Sequence, residues 1–304
     1  MRTGSQSPVL NAMTVDVEDY FHVQAFAHAI PRDRWDSLEY RAEANTRRLL
    51  ELFARQGLRC TFFVLGWVAR RSPDLVREIH AAGHEVACHG MSHKLIYQQT
   101  PEEFRRETRE SKTLLEDLIG DAVRGYRAAT YSITRKSLWA LDILVEEGFR
   151  YDSSIFPINH DFYGIPDAPK NPGLLTTPGQ RSLVEFPLAT SSFFGLRIPV
   201  SGGGYFRILP YWLTRAGLKR LNRREQHPFV FYLHPWEVDP DQPVVQAGWR
   251  SRFRHYTNLS RTQGRLERLI SEFEFATVSD VLSRMGLLQN ETHSTSSRLL
   301  LSTS

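Results

Sequence analysis

Along the first half of the chain, apolar positions switch repeatedly between two rhythms. Residues 58–65 (LRCTFFVL) are apolar, β-branched or aromatic almost throughout, the pattern of a strand buried on both faces. Residues 37–56 instead place Leu38, Ala42, Asn45, Leu49, Leu52 and Phe53 at helical spacing and close on Gly57. A strand is predicted before them, within 8–17. Ser72-Pro73-Asp74 predicts a helix start, with Ser72 as N-cap and Pro73 at the first helical position, running to Gly83. Residues 85–89 read as a strand. Thr100-Pro101-Glu102-Glu103 repeats the capping logic for a helix to Ile119, stopped by Gly120. A strand over 123–127, a helix over 134–147 and a strand over 149–153 follow. Repeated strand-helix units imply an α/β fold on a parallel sheet, closed or nearly closed into a barrel.

The second half is patterned differently. Residues 156–204 are rich in Pro and Gly with short strand candidates such as 183–188, and predict long loops and hairpins over one face. Helix returns over 209–222, and 228–233 (PFVFYL) is a strong buried strand. A helix over 261–273, a strand over 275–278 and a short helix from Ser279 complete the pattern. We read 1–287 as one domain, with its core at about 13–237 and an extension over 238–287. The Ser/Thr-rich stretch 288–304 reads as a disordered tail.

Composition narrows the class. With 41% apolar and 24% charged residues the chain reads as soluble and globular. Its net charge of +4 (38 − 34) comes without a dense basic stripe interleaved with aromatics, which argues against nucleic acid. A mild basic bias suits an acidic polysaccharide or an anionic membrane surface equally. Cys60 and Cys88 both fall in strand-like runs and predict buried, reduced thiols. The first twelve residues are polar and no apolar span approaches ~20 residues. A cytoplasmic enzyme without a transmembrane segment is therefore expected.

Candidate chemistry gathers at predicted strand ends. In His89-Gly90-Met91-Ser92-His93, two histidines four apart can face one side of a helical turn and grip one metal ion. Near the start, Asp16-Val17-Glu18-Asp19 places Asp16 and Glu18 on one strand face. Two adjacent carboxylates repel unless a cation lies beside them, so one can bind metal while the other acts as a base. Asp19 points the other way unless the strand bulges. Arg127, Asp152 and His234 likewise end predicted strands. All share the C-terminal end of the sheet, the face on which barrel enzymes keep catalytic residues. A His-His-carboxylate set takes one divalent ion, with Zn first and Co, Ni or Fe compatible.

On these motifs the sequence resembles the polysaccharide deacetylase family with the NodB-homology domain, carbohydrate esterase family 4-like. The family's acidic motif matches residues 14–19, its H-x-x-x-H motif His89 and His93, its R-x-P-x-[FY] motif residues 127–131, and its L-x-H motif Leu233-His234. Val-Asp-Val-Glu-Asp-Tyr-Phe-His and Ser201-Gly202-Gly203-Gly204-Tyr205-Phe206-Arg207 resemble the branch encoded with exosortase-linked exopolysaccharide genes. The resemblance implies a distorted (β/α) barrel of about seven parallel strands and removal of N-acetyl groups from a polysaccharide or oligosaccharide. It implies Glu18, His89 and His93 as metal ligands, Asp16 as base, Arg127 as its orienting partner and His234 as the acid that protonates the leaving amine. Asp152 would hold His234 or pin the substrate, and a backbone N–H near Tyr131 would stabilise the oxyanion. Exposed Tyr20, Phe21, Tyr131 and Trp236 would stack on sugar rings, Tyr131 and Trp236 being the substrate-binding candidates. Peripheral association with a polysaccharide-assembly complex would follow.

Two positions depart from the family pattern. Val17 separates the two acidic residues, and Ala129 stands at the motif's proline, which is expected to loosen the loop holding Arg127. Two rival readings are a cyclic-amide or ureide hydrolase on the same barrel and a catalytically silent carbohydrate-binding scaffold. The joint presence of Asp16 and His234 argues against the second.

Overall fold

The computed structural model describes residues 8–193 and 196–289. Its strands are, in chain order, β1 (Leu10–Val17), β2 (Thr61–Val64), β3 (Glu85–Cys88), β4 (Gly125–Tyr126), β5 (Tyr151–Asp152), β6 (Gly173–Thr176), β7 (Ser182–Glu185), β8 (Thr190–Phe193), β9 (Leu196–Pro199), β10 (Val230–Leu233) and β11 (Glu274–Ala276). Nine form one sheet in the order β10-β1-β2-β3-β4-β5-β7-β6, with β11 alongside β1. From β10 to β7 every pairing is parallel, whereas β6 runs antiparallel to β7 and β8–β9 is a separate hairpin. The fold is thus α/β on a mostly parallel sheet. Single parallel bridges join Leu188, just past β7, to Val230 and Gly202, just past β9, to Tyr232. The chain after β7 therefore reaches β10 by isolated contacts, not by a strand ladder.

Side-chain alternation sorts the sheet residues into two cores. Met13, Val15, Val17, Phe62 and Val64 face the surrounding helices, while Ala12, Phe63, Ala87, Val184, Val230 and Tyr232 build a second cluster. Helix Val278–Arg284 packs on this second cluster through Val278, Val281 and Leu282. It is anchored where the Val278 N–H donates to Thr61 Oγ1 at 2.8 Å, at the start of β2. Leu287 and Leu288 pack there too, so the predicted tail begins no earlier than Gln289; the rest of it lies outside the described residues.

Register aligns the strand ends. Val64, Cys88, Tyr126, Asp152 and Glu185 pair in succession across β2, β3, β4, β5 and β7. The next residues continue the row: the His89 N–H donates to the Val64 carbonyl, Arg127 to Cys88, Ser153 to Tyr126 and Phe186 to Asp152, all at 2.9–3.0 Å. Five-strand alignment at one level is what brings distant motifs together.

Several boundaries shift for physical reasons. The helix predicted over 37–56 is Ala42–Arg55, preceded by 3₁₀ turns that include Arg32–Ser37. Thr100 and Glu103 form the expected reciprocal cap at 3.2 and 3.0 Å. Ser72 does not cap: its hydroxyl donates to Glu43 Oε2 at 2.6 Å, and Pro73 alone marks that helix start. Helices Gly66–Arg71, Gly203–Ile208 and Trp249–Tyr256 escaped the sequence pattern, being six to eight residues long. Such short helices depend on tertiary packing more than on propensity.

Candidate active site

Asp16 and His234 are neighbours because Val15 pairs with Leu233 across β1 and β10, leaving the next residue of each strand side by side. Past β1 the Glu18 N–H turns back onto the Asp16 carbonyl at 3.0 Å, which keeps both carboxylates at one end of the sheet. Asp19 turns away and takes a structural role. Its carboxylate accepts from the N–H groups of Tyr20, Arg41 and Ala42 at 2.8, 2.6 and 2.7 Å. The geometry therefore favours Glu18 over Asp19 as a ligand.

The two histidines do not lie on a helical turn, as their spacing suggested. They sit on an irregular loop after β3, in which Gly90 has φ +75° and His93 φ +52°. Three neighbours fix this loop. The Gly66 and Trp67 N–H groups, at the start of helix Gly66–Arg71, donate to the Gly90 and Met91 carbonyls at 2.8 and 3.0 Å. Arg32 donates to the carbonyls of Ser92 and His93 at 3.0 and 2.9 Å. His89 Nδ1 lies 2.9 Å from the Arg127 carbonyl, which accepts its proton and leaves the Nε2 lone pair free.

Ligand atoms of Glu18, His89 and His93 all lie within 4.8 Å of one another, and all three residues are buried. His93 Nε2 is 2.6 Å and His89 Nε2 4.0 Å from Glu18 Oε2. Yet Oε2 is buried without a donor in hydrogen-bond geometry. Burial alone would raise the Glu18 pKa, but the adjoining histidine charges, His93 foremost, hold it well below the usual carboxylate range. Burial pushes His89 down to about 4, so at neutral pH it offers a lone pair and not a proton. A buried carboxylate oxygen without a donor in hydrogen-bond geometry, beside two imidazole nitrogens, is a donor set that fits a divalent cation.

Asp16 is held from both oxygens. Arg127 donates to Oδ1 at 2.7 Å, and the Tyr131 hydroxyl donates to Oδ2 at 3.2 Å. Arg127 is itself fully buried, with further bonds to Thr14 Oγ1, the Ser153 carbonyl and Ser153 Oγ at 2.7, 3.0 and 2.9 Å, and its guanidinium 4.0 Å from the centre of the Phe63 ring. The loosening expected from Ala129 is absent. Ala128 donates to Ser154 Oγ at 2.8 Å, and the Ser132 hydroxyl donates to the Ala129 carbonyl at 2.6 Å. The Tyr131 N–H itself is committed to the Ala128 carbonyl at 3.0 Å.

His234 Nε2 lies 4.0 Å from Asp16 Oδ2 and 3.5 Å from Glu18 Oε1. Asp152 does not hold it; Asp152 instead accepts from the Ser154 hydroxyl at 2.6 Å and the Ser154 N–H at 3.2 Å. The holder is Glu237, whose Oε1 accepts from His234 Nδ1 at 2.7 Å and from the His234 N–H at 3.0 Å. Glu237 Oε2 accepts from buried Arg207 Nε at 2.6 Å. Burial alone would lower the His234 pKa, but the carboxylates of Glu18 and Glu237 raise it to about 9. Glu237, opposed by burial but paired with Arg207 and His234, falls to about 2. Sequence reasoning missed Glu237 and Arg207. The available signal was a carboxylate three residues after a strand-end histidine with proline between, the spacing of a capping box.

These residues open into a cleft of about 300 Å³, whose outer wall includes His160, Tyr163, Tyr205 and Arg254. Gly202 makes that wall possible. At φ +129° it lies so close to β10 that a Cβ would fall 1.9 Å from the Tyr232 carbonyl oxygen. The aromatics expected to be exposed are buried. Tyr20 and Phe21 pack with Phe26 and Trp35, away from the cleft lining. Tyr131 and Trp236 do line the cleft, Trp236 stacked between His234 and His255 at 5.0 and 4.2 Å.

Comparison with known proteins adds a family to this geometry. Residues 34–148 match the polysaccharide deacetylase family model, and residues 153–283 match a domain of unknown function, DUF3473. Over 123 residues the chain is 31% identical to a peptidoglycan deacetylase of Helicobacter pylori, covering 40% of each chain. Over 99 residues it is 32% identical to a chitooligosaccharide deacetylase of Rhizobium leguminosarum bv. trifolii, covering 33% of this chain and 43% of that one. The matches thus span less than half the length of these relatives. In fold the chain resembles a putative polysaccharide deacetylase from Mycobacterium smegmatis, with TM-score 0.62, 19% identity and coverage of 93% and 92%. It also resembles Puue allantoinase, with TM-score 0.60, 16% identity and coverage of 94% and 96%.

Proposed function

We propose that this protein is a metal-dependent hydrolase that removes N-acetyl groups from sugar residues of a polysaccharide, in exopolysaccharide biosynthesis. The observation that carries the reading is a proton acceptor, Asp16, and a proton donor, His234, 4.0 Å apart beside the Glu18–His89–His93 triangle. A divalent ion held by those three, zinc first by its donor set, would supply Lewis acidity to the acetyl carbonyl and to the attacking water. Asp16 takes the proton of that water, its oxygens kept in place by Arg127 and Tyr131. His234 releases its Nε2 proton to the departing amine, which is a poor leaving group without one. Glu237 keeps that proton available at neutral pH and fixes the ring. Asp152 has no part in the step; its bonds tie the end of β5 to the following loop.

The exopolysaccharide setting is supported by the two sequence motifs that resemble the exosortase-linked branch. A cytoplasmic location is supported by Cys60 and Cys88, both buried and unpaired. The test is acetate release from a panel of N-acetylated glycans with and without a chelator. Release that stops on chelation and returns with zinc is expected. Metal-loaded protein that releases no acetate from any of them, but opens a cyclic ureide, would move the assignment to the rival hydrolase.

A further inference from the structure

Helix Trp249–Tyr256 presents two unlike faces. Ser251, Arg254 and His255 line the cleft. Trp249 and Phe253, four residues apart and so neighbours on one side of the helix, lie away from it at 73% and 55% exposure. Val244, 56% exposed, shares a surface groove with Trp249, Arg252 and Arg261. Phe162, 42% exposed, stands on the cleft lining near Arg254. Single exposed apolar residues are ordinary, but a tryptophan, a phenylalanine and a valine on one surface form a patch.

The charge around this patch is one-sided. Residues 242–266 contain five arginines and no Asp or Glu. Arg265 is used internally, donating to the carbonyls of Phe206, Arg207 and Leu209. Arg250, Arg252, Arg254 and Arg261 have no carboxylate within ion-pair distance among the described residues. Elsewhere on the surface, arginines such as Arg47 and Arg109 pair with Glu78 and Glu147. Among the described residues no helix is long and apolar enough to cross a membrane. We propose that helix 249–256 docks the protein on an anionic lipid bilayer. Trp249 and Phe253 enter the headgroup region, and Arg250, Arg252 and Arg261 meet lipid phosphates. A soluble polyanion would satisfy the arginines but leave the outward aromatic pair in water. Docking also sets the cleft rim at the membrane, so that the glycan reaching Asp16 and His234 is membrane-borne. That consequence rests on the deacetylase reading, whereas the docking itself does not.

The test is co-sedimentation of the full chain with mixed phosphatidylcholine–phosphatidylglycerol vesicles and with pure phosphatidylcholine vesicles. Binding to the mixed vesicles is expected, weaker by about tenfold on pure phosphatidylcholine or in high salt. Trp249→Ser with Phe253→Ser, and separately Arg250→Gln with Arg252→Gln, should each weaken it by about tenfold, the scale of removing two surface anchors. Both variants should keep wild-type metal content and acetate release from a soluble glycan. Absence of vesicle binding, equal binding to neutral vesicles, or unchanged binding by the variants would overturn the proposal. So would capture of a soluble anionic polysaccharide without vesicle binding. A dimer that light scattering shows dissociating in Trp249→Ser with Phe253→Ser would instead assign the patch to a second copy of the chain.

Discussion

Two buried histidines on opposite sides of the site have been driven in opposite directions, and the regions that hold them differ accordingly. His89, in the segment that matches the polysaccharide deacetylases, is fixed by sheet register and backbone carbonyls. Burial pushes it down to about 4, leaving a lone pair. His234, in the segment that matches a domain of unknown function, is fixed by a chain of charges through Glu237 to Arg207. That chain holds it up to about 9, with its proton in place. A ligand requires the neutral ring and an acid requires the charged one. The first segment thus supplies the two histidines of the candidate metal cluster, the end of β1 ahead of both segments supplies Glu18 and Asp16, and the second segment supplies His234 and much of the cleft wall. Both segments contribute strands to one sheet, so neither side is complete alone.

The sharpest way to break this division is on the metal side. His89→Ala or His93→Ala should abolish activity and bound metal together, read by elemental analysis of the purified protein; stoichiometric metal in either variant would remove the assignment. Glu18→Gln should lose metal as well. Asp19→Asn should keep it and lose stability instead, since Asp19 serves three backbone N–H groups. Next come the two proton carriers. Asp16→Asn and His234→Ala should each lower kcat by ~10²–10⁴-fold with metal retained.

Arg207→Met tests the charge chain by stability. It leaves buried Glu237 without its cation, at a cost of about 3–5 kcal/mol in urea unfolding. Arg207→Met combined with Glu237→Gln should recover part of that loss; no recovery would show that Arg207 acts mainly through packing against Trp236. Glu237→Gln alone should lower kcat by about tenfold, the scale of removing an orienting partner. It should also move the alkaline limb of the pH–rate profile to lower pH. The sign follows from His234, whose folded pKa is raised from 6.5 to about 9: the acid is loaded below that value and emptied above it. For the same reason its stabilising charge is fully present below pH 6.5 and lost as pH rises through about 9. An unmoved limb would assign the acid to another group. The smallest effect belongs to Asp152→Asn, which should leave both kcat and the alkaline limb in place, because no bond links Asp152 to His234.

The sequence by itself determined the strand-helix alternation, the parallel sheet and the residues at its C-terminal end. Those signals are local: an apolar run such as 58–65 can only be satisfied by burial, and a polar residue at its exit can only stand at an end. It also named the Glu18–His89–His93 cluster, because strand periodicity separated Glu18 from Asp19. Helical spacing misjudged how the histidines meet, since the Gly90 and His93 backbone is set by carbonyl contacts with a helix some 25 residues earlier. Burial of Tyr20 and Phe21 was equally out of reach, for aromatic content does not say which face a turn will cover. Only the tertiary structure decided who holds His234. Asp152 and Glu237 are both carboxylates near strand ends, and Arg207 lies 30 residues from Glu237. Their pairing exists because Gly202 lets the chain lie flat against β10 and carries Arg207 beneath Trp236. A long-range charge pair leaves no periodicity in the chain that forms it.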